Sequence, residues 1–563
     1  MEKERPLFPA WIVGAASTAV PVALVSAWAG LDPLALPSAV LLVVLGALLL
    51  FGVLARGTPS PRACAWCAGA GFGLLAGVLL AQPTPTSWLM SDIAWHTAKV
   101  ARVADGAWLE DPILRVRTIY PFTFHLVLAA PVALGVPLFA VLWCVSPLVL
   151  VLLGWSFFWL LRGFLAPRPA AWGVLALPFF FYAPGEGFAY LPNPFNASLI
   201  AVFLGLGALV RAKDGGPRSI ALLGGFALGV AGLGWYGHLP WITLTVLGWA
   251  LRARRSALLA MVGAAPAALV LLVHLTLLAA GGHEHGSAIV EPGAVEELSA
   301  RALGSLRNLT TLSGSAELAQ ASWWLGPVLS VALLVAWARR RAEDARVPGL
   351  LLLAAAFVGL SLLGAGLAMT FWRPFSWRYG FLLYALLLAI AARARPFSVA
   401  GLSLPLLAAC ALSAPWTAGR GAFLCLARSR AYTELHAQGG RDVGAFLAAH
   451  TRSDEPVFAS NDTWDRVIGA SVPRPGLVAR NGGIYNFAPA DVVVPRWAAY
   501  QAVLSAVEPE TILRELEPYR FRFAVVARDE LDRQPGLGVI ARSFELALET
   551  PRYVVVDLTR RRP

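Results

Sequence analysis

Charged residues are scarce in this chain: 14% of 563 residues are Asp, Glu, Lys or Arg, against 58% that are hydrophobic. A soluble domain has nowhere to bury that much apolar surface, whereas a bilayer does, so the soluble globular class is excluded. Cysteine is also sparse, with Cys64, Cys67, Cys144, Cys410 and Cys425 scattered along the chain. Cys64 and Cys67 form a CxxC with no second pair at the lip of an apolar run, which reads as small packing residues rather than a metal or redox centre. Several motifs are missing as well. There is no glycine loop to cradle phosphates, no GxSxG elbow and no HExxH, which leaves nucleotide hydrolysis, serine hydrolysis and zincin chemistry without their usual residues. Internal repeats and low-complexity tracts are absent, and "MEKERPLFPAW" at the start lacks a small-residue cleavage site. The first apolar run is therefore expected to be a retained helix, not a cleaved signal peptide.

Long apolar runs dominate what is present. Runs able to cross a hydrocarbon core of ~30 Å fall at about 9–30, 37–55, 63–81, 136–161, 169–184, 195–210, 219–235, 239–251, 256–280, 323–338, 348–370, 376–392 and 397–416. These thirteen runs predict an α-helical polytopic membrane protein of about 13 transmembrane helices. The stretch 121–133, "PFTFHLVLAAPVA", is too short to span and is expected to be re-entrant or interfacial. A pI near 9.9 would suggest nucleic acid in a soluble protein; here the question is which loops carry the charge. With the N-terminus inside, every inside connection is basic, from Lys3/Arg5 through Arg56/Arg62, Arg162/Arg168 and Arg211/Lys213/Arg218 to Arg393/Arg395. The short outside connections at 31–36, 183–194 and 236–238 hold no Lys or Arg. That alternation predicts a cytoplasmic N-terminus, and an odd span count puts the C-terminus outside.

Three outside segments are long: 82–120, 281–322 and the tail from about 420 to 563. In the tail, charge returns. "PVFAS", "FRFAVVARD", "FELALE" and "RYVVVDLT" read as strands, and "RDVGAFLAAH" and "PETILRELEP" as helices, which predicts a small C-terminal extracytoplasmic α/β domain. Residues 1–419 form the transmembrane domain in this reading, and 420–563 the outside domain.

Loop 82–120 carries the most chemistry. "DIAWHTAKVARVADGAWL" is an amphipathic helical pattern with Asp92, His96 and Lys99 at i, i+4 and i+7 on one side. It is expected to lie along the outer interface. Glu110, Asp111, Arg115, Arg117, Tyr120 and His125 follow. Either these charges neutralise one another on a solvated helix, or they form a polar site. For Asp92, the first charge after a membrane run, the site is favoured, because a carboxylate at the bilayer edge is costly unless paired or used. Elsewhere, "FWRPFSWRYG" sets Arg373 and Arg378 in an outside turn, as phosphate ligands or as headgroup-snorkelling cations. "GWYGHLPW" offers His238, and "HEH" at 283–285 reads as a solvated loop before a metal site.

"SDIAWH", followed by "IYPFTFH" and the late "WRYG", resembles the GT-C superfamily of integral-membrane glycosyltransferases, and among them the bacterial arabinofuranosyl- and mannosyltransferases that use polyprenyl-phosphate sugars. The resemblance implies transfer of a sugar from a polyprenyl-phosphate donor to an extracytoplasmic glycan, lipid or protein, by a general base with electrostatic stabilisation of the leaving phosphate, and inversion is the expected stereochemistry. Asp92 matches the acidic position and is the candidate base. Asp111 is the candidate second acid, orienting the acceptor or coordinating an optional divalent cation. Arg115, Arg117, Arg373 and Arg378 are candidate phosphate ligands, and His96, Tyr120, His125 and His238 candidate sugar-cavity groups. No resident cofactor or nucleic-acid partner is implied, and the setting is the bacterial inner membrane. Rival readings are a transporter or flippase of a lipid-linked substrate, a non-catalytic envelope-assembly protein, and an envelope polymerase or ligase. A transporter predicts charges in mid-helix and symmetry between the halves.

Overall fold

The computed structural model describes residues 7–28, 60–81, 91–118, 120–181, 194–212, 217–251, 253–279, 398–399, 402–403, 439–469, 472–478 and 489–562. Eight of its helices coincide with expected apolar runs: α1 (Leu7–Trp28), α2 (Pro61–Leu80), α5 (Leu138–Arg162), α6 (Pro167–Phe181), α7 (Pro194–Arg211), α8 (Arg218–Gly234), α9 (Leu239–Ala250) and α10 (Arg254–Ala279). Two shorter helices, α3 (Ser91–Ala104) and α4 (Thr123–Ala133), separate α2 from α5. None of the eight carries a charged residue except Arg in its first or last turn, so the apolar interior leaves backbone hydrogen bonding to the helix itself. Among the described residues, four segments are long and apolar enough to cross a membrane: Leu7–Val25, Leu138–Arg162, Pro194–Arg211 and Arg254–Leu277. The chain is by these features a membrane protein. The expected runs at 37–55, 323–338, 348–370 and 376–392 lie outside the described residues. Where the run at 397–416 begins, β1 (Ser398–Val399) and β2 (Leu402–Ser403) pair antiparallel instead of forming helix. Gly401 between them and Pro405 beyond are the two poorest helix formers, which favours a turn over a helical start.

The chain divides into two compact units. The first holds α1, α2, most of α5, α6 to α9 and most of α10. Its helices meet through small residues. Gly69, Gly73 and Gly77 recur every four residues along α2, and a Cβ on each would stand 2.2, 2.2 and 2.7 Å from the carbonyl oxygens of Trp11, Ala15 and Ala19 on α1. Lipid tails are as apolar as Leu, so close backbone approach and interhelical hydrogen bonds hold such pairs together. Thr18 Oγ1 supplies one of those bonds to Ala70 O at 2.8 Å. Beside this seam Trp11 is fully buried against Phe72, Trp155 and Phe158. A comparable seam joins α8 to α10, where a Cβ on Gly225 or Gly263 would meet Ala260 O at 1.8 Å or Leu222 O at 2.0 Å. Gly73→Ala is expected to cost about 1–3 kcal/mol, as overpacking does. The check is thermal denaturation in detergent, where a melting curve unchanged from wild type would remove the close approach as a source of stability.

The second unit holds α3, α4, the end of α10 and the described C-terminal residues. Four strands form one sheet in the order β3-β4-β6-β5: β3 (Val457–Ala459), β4 (Phe523–Ala527), β5 (Phe544–Glu549) and β6 (Tyr553–Arg561). β3 and β4 are parallel, with Val457 opposite Phe523, and the other pairs are antiparallel. β4 is buried along its whole length and β6 through Leu558, so both read as continuous apolar runs, not as an alternation. Four helices accompany the sheet: α11 (Arg441–His450), α12 (Ala490–Ser505), α13 (Pro509–Leu516) and α14 (Pro535–Ser543). α12 and α13 make the crossover from β3 to β4. The strands and the helices α11 and α13 fall on the tail segments whose patterns predict them, with β6 continuing past "RYVVVDLT" to Arg561.

These C-terminal residues close onto the early loop. After β3, Ser460 caps a short helical turn by accepting from Thr463 N at 3.1 Å, and the chain continues into a wide turn over Trp464–Ile468. That geometry buries Trp464 against Gly469 and Gly476, where added Cβ atoms would lie within 3.1 Å of its ring. The same two glycines face Ala94 of α3 and Ile113 of the loop, so a Cβ at Gly469 would force the Trp464 ring to shift and one at Gly476 would press against it.

Candidate functional site

The polar side of α3 is covered, which sets aside the alternative of a solvated helix: His96 is 3% exposed and Lys99 fully buried, alongside Ala94, Trp95, Ala98 and Val100. Loop 108–125 and the Trp464 turn cover it, which is why the amphipathic period does not mark a surface. A buried ammonium must find acceptors. Lys99 Nζ donates to Trp108 O at 2.9 Å and to Glu110 O, which ties the loop back across the helix. Burial pushes the Lys99 ammonium down to about 8, and the carboxylates of Asp111 and Glu110 pull it back up. Arg102, one turn on, pairs with Glu110 at 2.6 Å and with Asp105 at 3.7 Å.

Asp111 organises the loop. Its Oδ1 accepts from Ile113 N and Leu114 N, both at 2.8 Å, and its Oδ2 accepts from Trp95 Nε1 at 3.1 Å. An Asp bonding its own backbone two and three residues on, with Pro112 between, is the Asx arrangement that forms turns. Burial pushes its carboxyl up, while those donors and Lys99 hold it down. Its oxygens are engaged, so Asp111 as placed positions the loop. The turn ends at Arg115, whose φ of 59° lies in the left-handed region that non-glycine residues seldom adopt. From there Arg115 Nη2 donates to Ser453 O, and Arg117 Nη1 donates to Leu277 O at 3.2 Å.

His96 and His125 form a buried pair. His96 Nδ1 and His125 Nε2 stand 2.8 Å apart, with the rings of Trp95, Tyr120 and Phe124 around them. The contact joins α3 to α4. Burial, with His96 and Lys99 adding to it, holds the His125 imidazole well below 6.5, against the pull of the Pro121 carbonyl. The unfolded imidazole therefore takes a proton near pH 6.5 that the folded one refuses. Stability is complete above that pH and falls as pH drops below it, by up to about 1.4 kcal/mol per pH unit for one proton. Denaturation of the detergent-solubilised protein between pH 7.5 and 5 is expected to show that slope, and His125→Phe to flatten it. A slope that survives the substitution would assign it to other groups.

The second unit thus brings together five of the candidate residues, His96, Asp111, Arg115, Tyr120 and His125, with Arg117 at its edge. Asp92 lies in the first turn of α3, one turn before His96, and its side chain lies outside the described residues. Arg373, Arg378 and the 283–285 loop also lie outside them. His238 belongs to the other unit, where its Nε2 stands 2.9 Å from Ser198 Oγ. Among the described residues no three His, Cys, Asp or Glu side chains converge as a metal site. The sequence pattern passed over Trp95 and Trp464, because an aromatic in an apolar stripe carries no mark of the hydrogen bond or the packing it will supply. It named Lys99 only as part of a polar face.

No known family matches the chain, and neither does any curated protein. Solved structures do. The chain is similar to ArnT from Cupriavidus metallidurans bound to undecaprenyl phosphate, at 13% identity over 86% of this chain and 97% of that one, with a TM-score of 0.47. It is similar to the Archaeoglobus fulgidus oligosaccharyltransferase in complex with zinc and sulfate, at 14% identity over 81% and 67%, with a TM-score of 0.45. It is likewise similar to AglB from Archaeoglobus fulgidus with an inhibitory peptide and a dolichol-phosphate, at 14% identity over 79% and 66%, with a TM-score of 0.43. At such identities and TM-scores these likenesses add no argument about chemistry.

Proposed function

We propose that the protein is a membrane glycosyltransferase that moves a sugar from a polyprenyl-phosphate donor to an extracytoplasmic glycan, lipid or protein acceptor, with inversion at the anomeric carbon. The observation that carries this is the folding of loop 91–125 into a closed polar cluster under the C-terminal residues, in a chain whose described apolar helices hold no charge in mid-span. Asp92 takes the proton of the acceptor hydroxyl. The freed oxygen bonds to the anomeric carbon from the side opposite the phosphate, the bond from that carbon to the phosphate oxygen breaks, and its electron pair leaves with the phosphate. Arg115 and Arg117, with Arg373 and Arg378, stabilise that leaving charge. Arg115 supports the role, for its Nε and Nη1 are buried with no partner among the described residues. Asp111 orients the loop that bears both arginines. His96 and His125 fix α3 against α4, Tyr120 packs beside them, and His238 is assigned to sugar binding. A divalent cation, where one is used, assists at the phosphate. The N-terminus is cytoplasmic, the C-terminal α/β domain extracytoplasmic, and the bilayer the bacterial inner membrane.

The test supplies the purified full chain with a panel of polyprenyl-phosphate sugars and a simple acceptor, and measures glycosylated product. Transfer with at least one donor is expected. No turnover with any donor, together with vectorial movement of the lipid-linked sugar in liposomes, would replace the reading with a transporter.

A further inference from the structure

We propose that Arg162, Arg168 and Arg211, gathered where α5 and α7 end and α6 begins, bind the phosphodiester headgroup of an anionic phospholipid. The proposal concerns the first unit alone and is independent of the sugar-transfer reading. Arg162 and Arg211 are the last residues of their helices, and Arg168 is the second residue of α6. At 1.5 Å per residue the 25 residues of α5 reach about 37 Å, more than the ~30 Å of a hydrocarbon core. Its terminal Arg162 therefore stands at headgroup depth, and so do the cations beside it.

Packing and one short connection bring the three together. The guanidinium carbon of Arg211 stands 3.7 Å from the centroid of the Trp159 ring. Its Nη2 donates to Trp159 O at 2.6 Å and its Nη1 to Gly207 O at 2.9 Å. Trp159 lies one turn before Arg162 on α5. A Cβ on Gly163, the next residue, would stand 3.3 Å from Arg211 Nη1. Arg162 Nη1 turns back to donate to Leu165 O, three residues before Arg168. All three arginines are half-buried. Those acceptors are backbone carbonyls, which take a hydrogen bond without supplying a negative charge.

No carboxylate offsets the cluster among the described residues, for the first unit has arginines there but no Asp or Glu. In the sequence, Asp214 after Arg211 is matched by Lys213, and Glu2 and Glu4 before α1 by Lys3 and Arg5. The corner thus keeps its positive charge. Partly dehydrated cations of one sign repel one another and have lost water, and an anion from the leaflet offsets both costs. A phosphodiester suits the place because it is held at that depth and its two free oxygens match a guanidinium fork. Basic pockets between membrane helices select anionic lipids in this way.

The test titrates the full chain in detergent with phosphatidylglycerol, with phosphatidylcholine of the same acyl chains, and with inorganic phosphate, and counts bound lipid by native mass spectrometry. Wild type is expected to prefer phosphatidylglycerol. R168Q should weaken that binding about fivefold and R162Q/R168Q about 25-fold, the factor an interfacial arginine contributes to each step. R168K should recover part of the loss. R254Q/R255Q, which removes two exposed cations from the start of α10, should leave binding little changed. Equal phosphatidylglycerol affinity in wild type and R162Q/R168Q would overturn the proposal. An equal loss in R254Q/R255Q would overturn it too, by making the attraction a diffuse field of the whole face. Phosphatidylcholine bound as tightly as phosphatidylglycerol would remove the anionic lipid, and displacement of the lipid by inorganic phosphate would assign the corner to a free anion instead. R168Q and R168K keep the comparison valid if the double variant does not fold.

Discussion

Asp92→Asn is expected to lower sugar transfer by about 10²–10⁴-fold, the range a positioned general base contributes. The substitution keeps size and hydrogen-bonding capacity but removes the basic lone pair, so the acceptor hydroxyl has nowhere to leave its proton. The loss should fall on kcat, with donor affinity little changed, since the proposed mechanism assigns the donor phosphate to arginines and not to this carboxylate. Asp92 is in the first turn of α3, and α3 is fixed from both sides: by Lys99 to the loop carbonyls and by the His96–His125 contact to α4. A base on such a helix keeps its position while substrate enters. Initial rates at saturating donor and acceptor decide the matter, and undiminished transfer by the Asn variant would remove Asp92 as the base.

Asp111→Ala is expected to destabilise the second unit by about 3–5 kcal/mol, the cost of removing one partner from a buried charged network. Three donors, Trp95 Nε1, Ile113 N and Leu114 N, would lose their acceptor while still buried. Lys99 would lose one of the two carboxylates that act on it. Asp111→Asn keeps one acceptor oxygen and should cost about half as much, since the neutral bonds it retains are weaker. Denaturation in detergent, followed by Trp464 and Trp95 fluorescence, reads the difference. An Ala variant as stable as wild type would mean the network contributes nothing to folding. Transfer should fall with stability in both variants, because Arg115 and Arg117 are displaced when the Asx turn opens.

Much of the fold was legible without coordinates. Apolar runs of membrane length with Arg only at their ends specify helices such as α5, α7 and α10, because nothing else satisfies backbone polar groups in hydrocarbon. The tail's strands were equally plain, since "FAVVA" and "YVVVDL" are runs that only a buried sheet accommodates. Local chemistry also marked loop 82–120 as the place where charge gathers. What covers the polar face of α3 was not legible there. Periodicity gives the sides of a helix but not what covers them, and here a segment more than 300 residues away in sequence, the Trp464 turn, does the covering.

The sequence by itself therefore determined the membrane class, the helix-forming runs, the strand-forming tail and the cluster of titratable residues. These follow from hydropathy and hydrogen bonding within short stretches. The tertiary structure alone decided that Lys99 is caged by backbone carbonyls, that Asp111 is held by Trp95, and that His96 meets His125. Those pairings are long-range, and no local pattern encodes them; they exist because burying the C-terminal sheet's apolar turn against α3 removes water from a charged loop and obliges each polar group in it to find a partner.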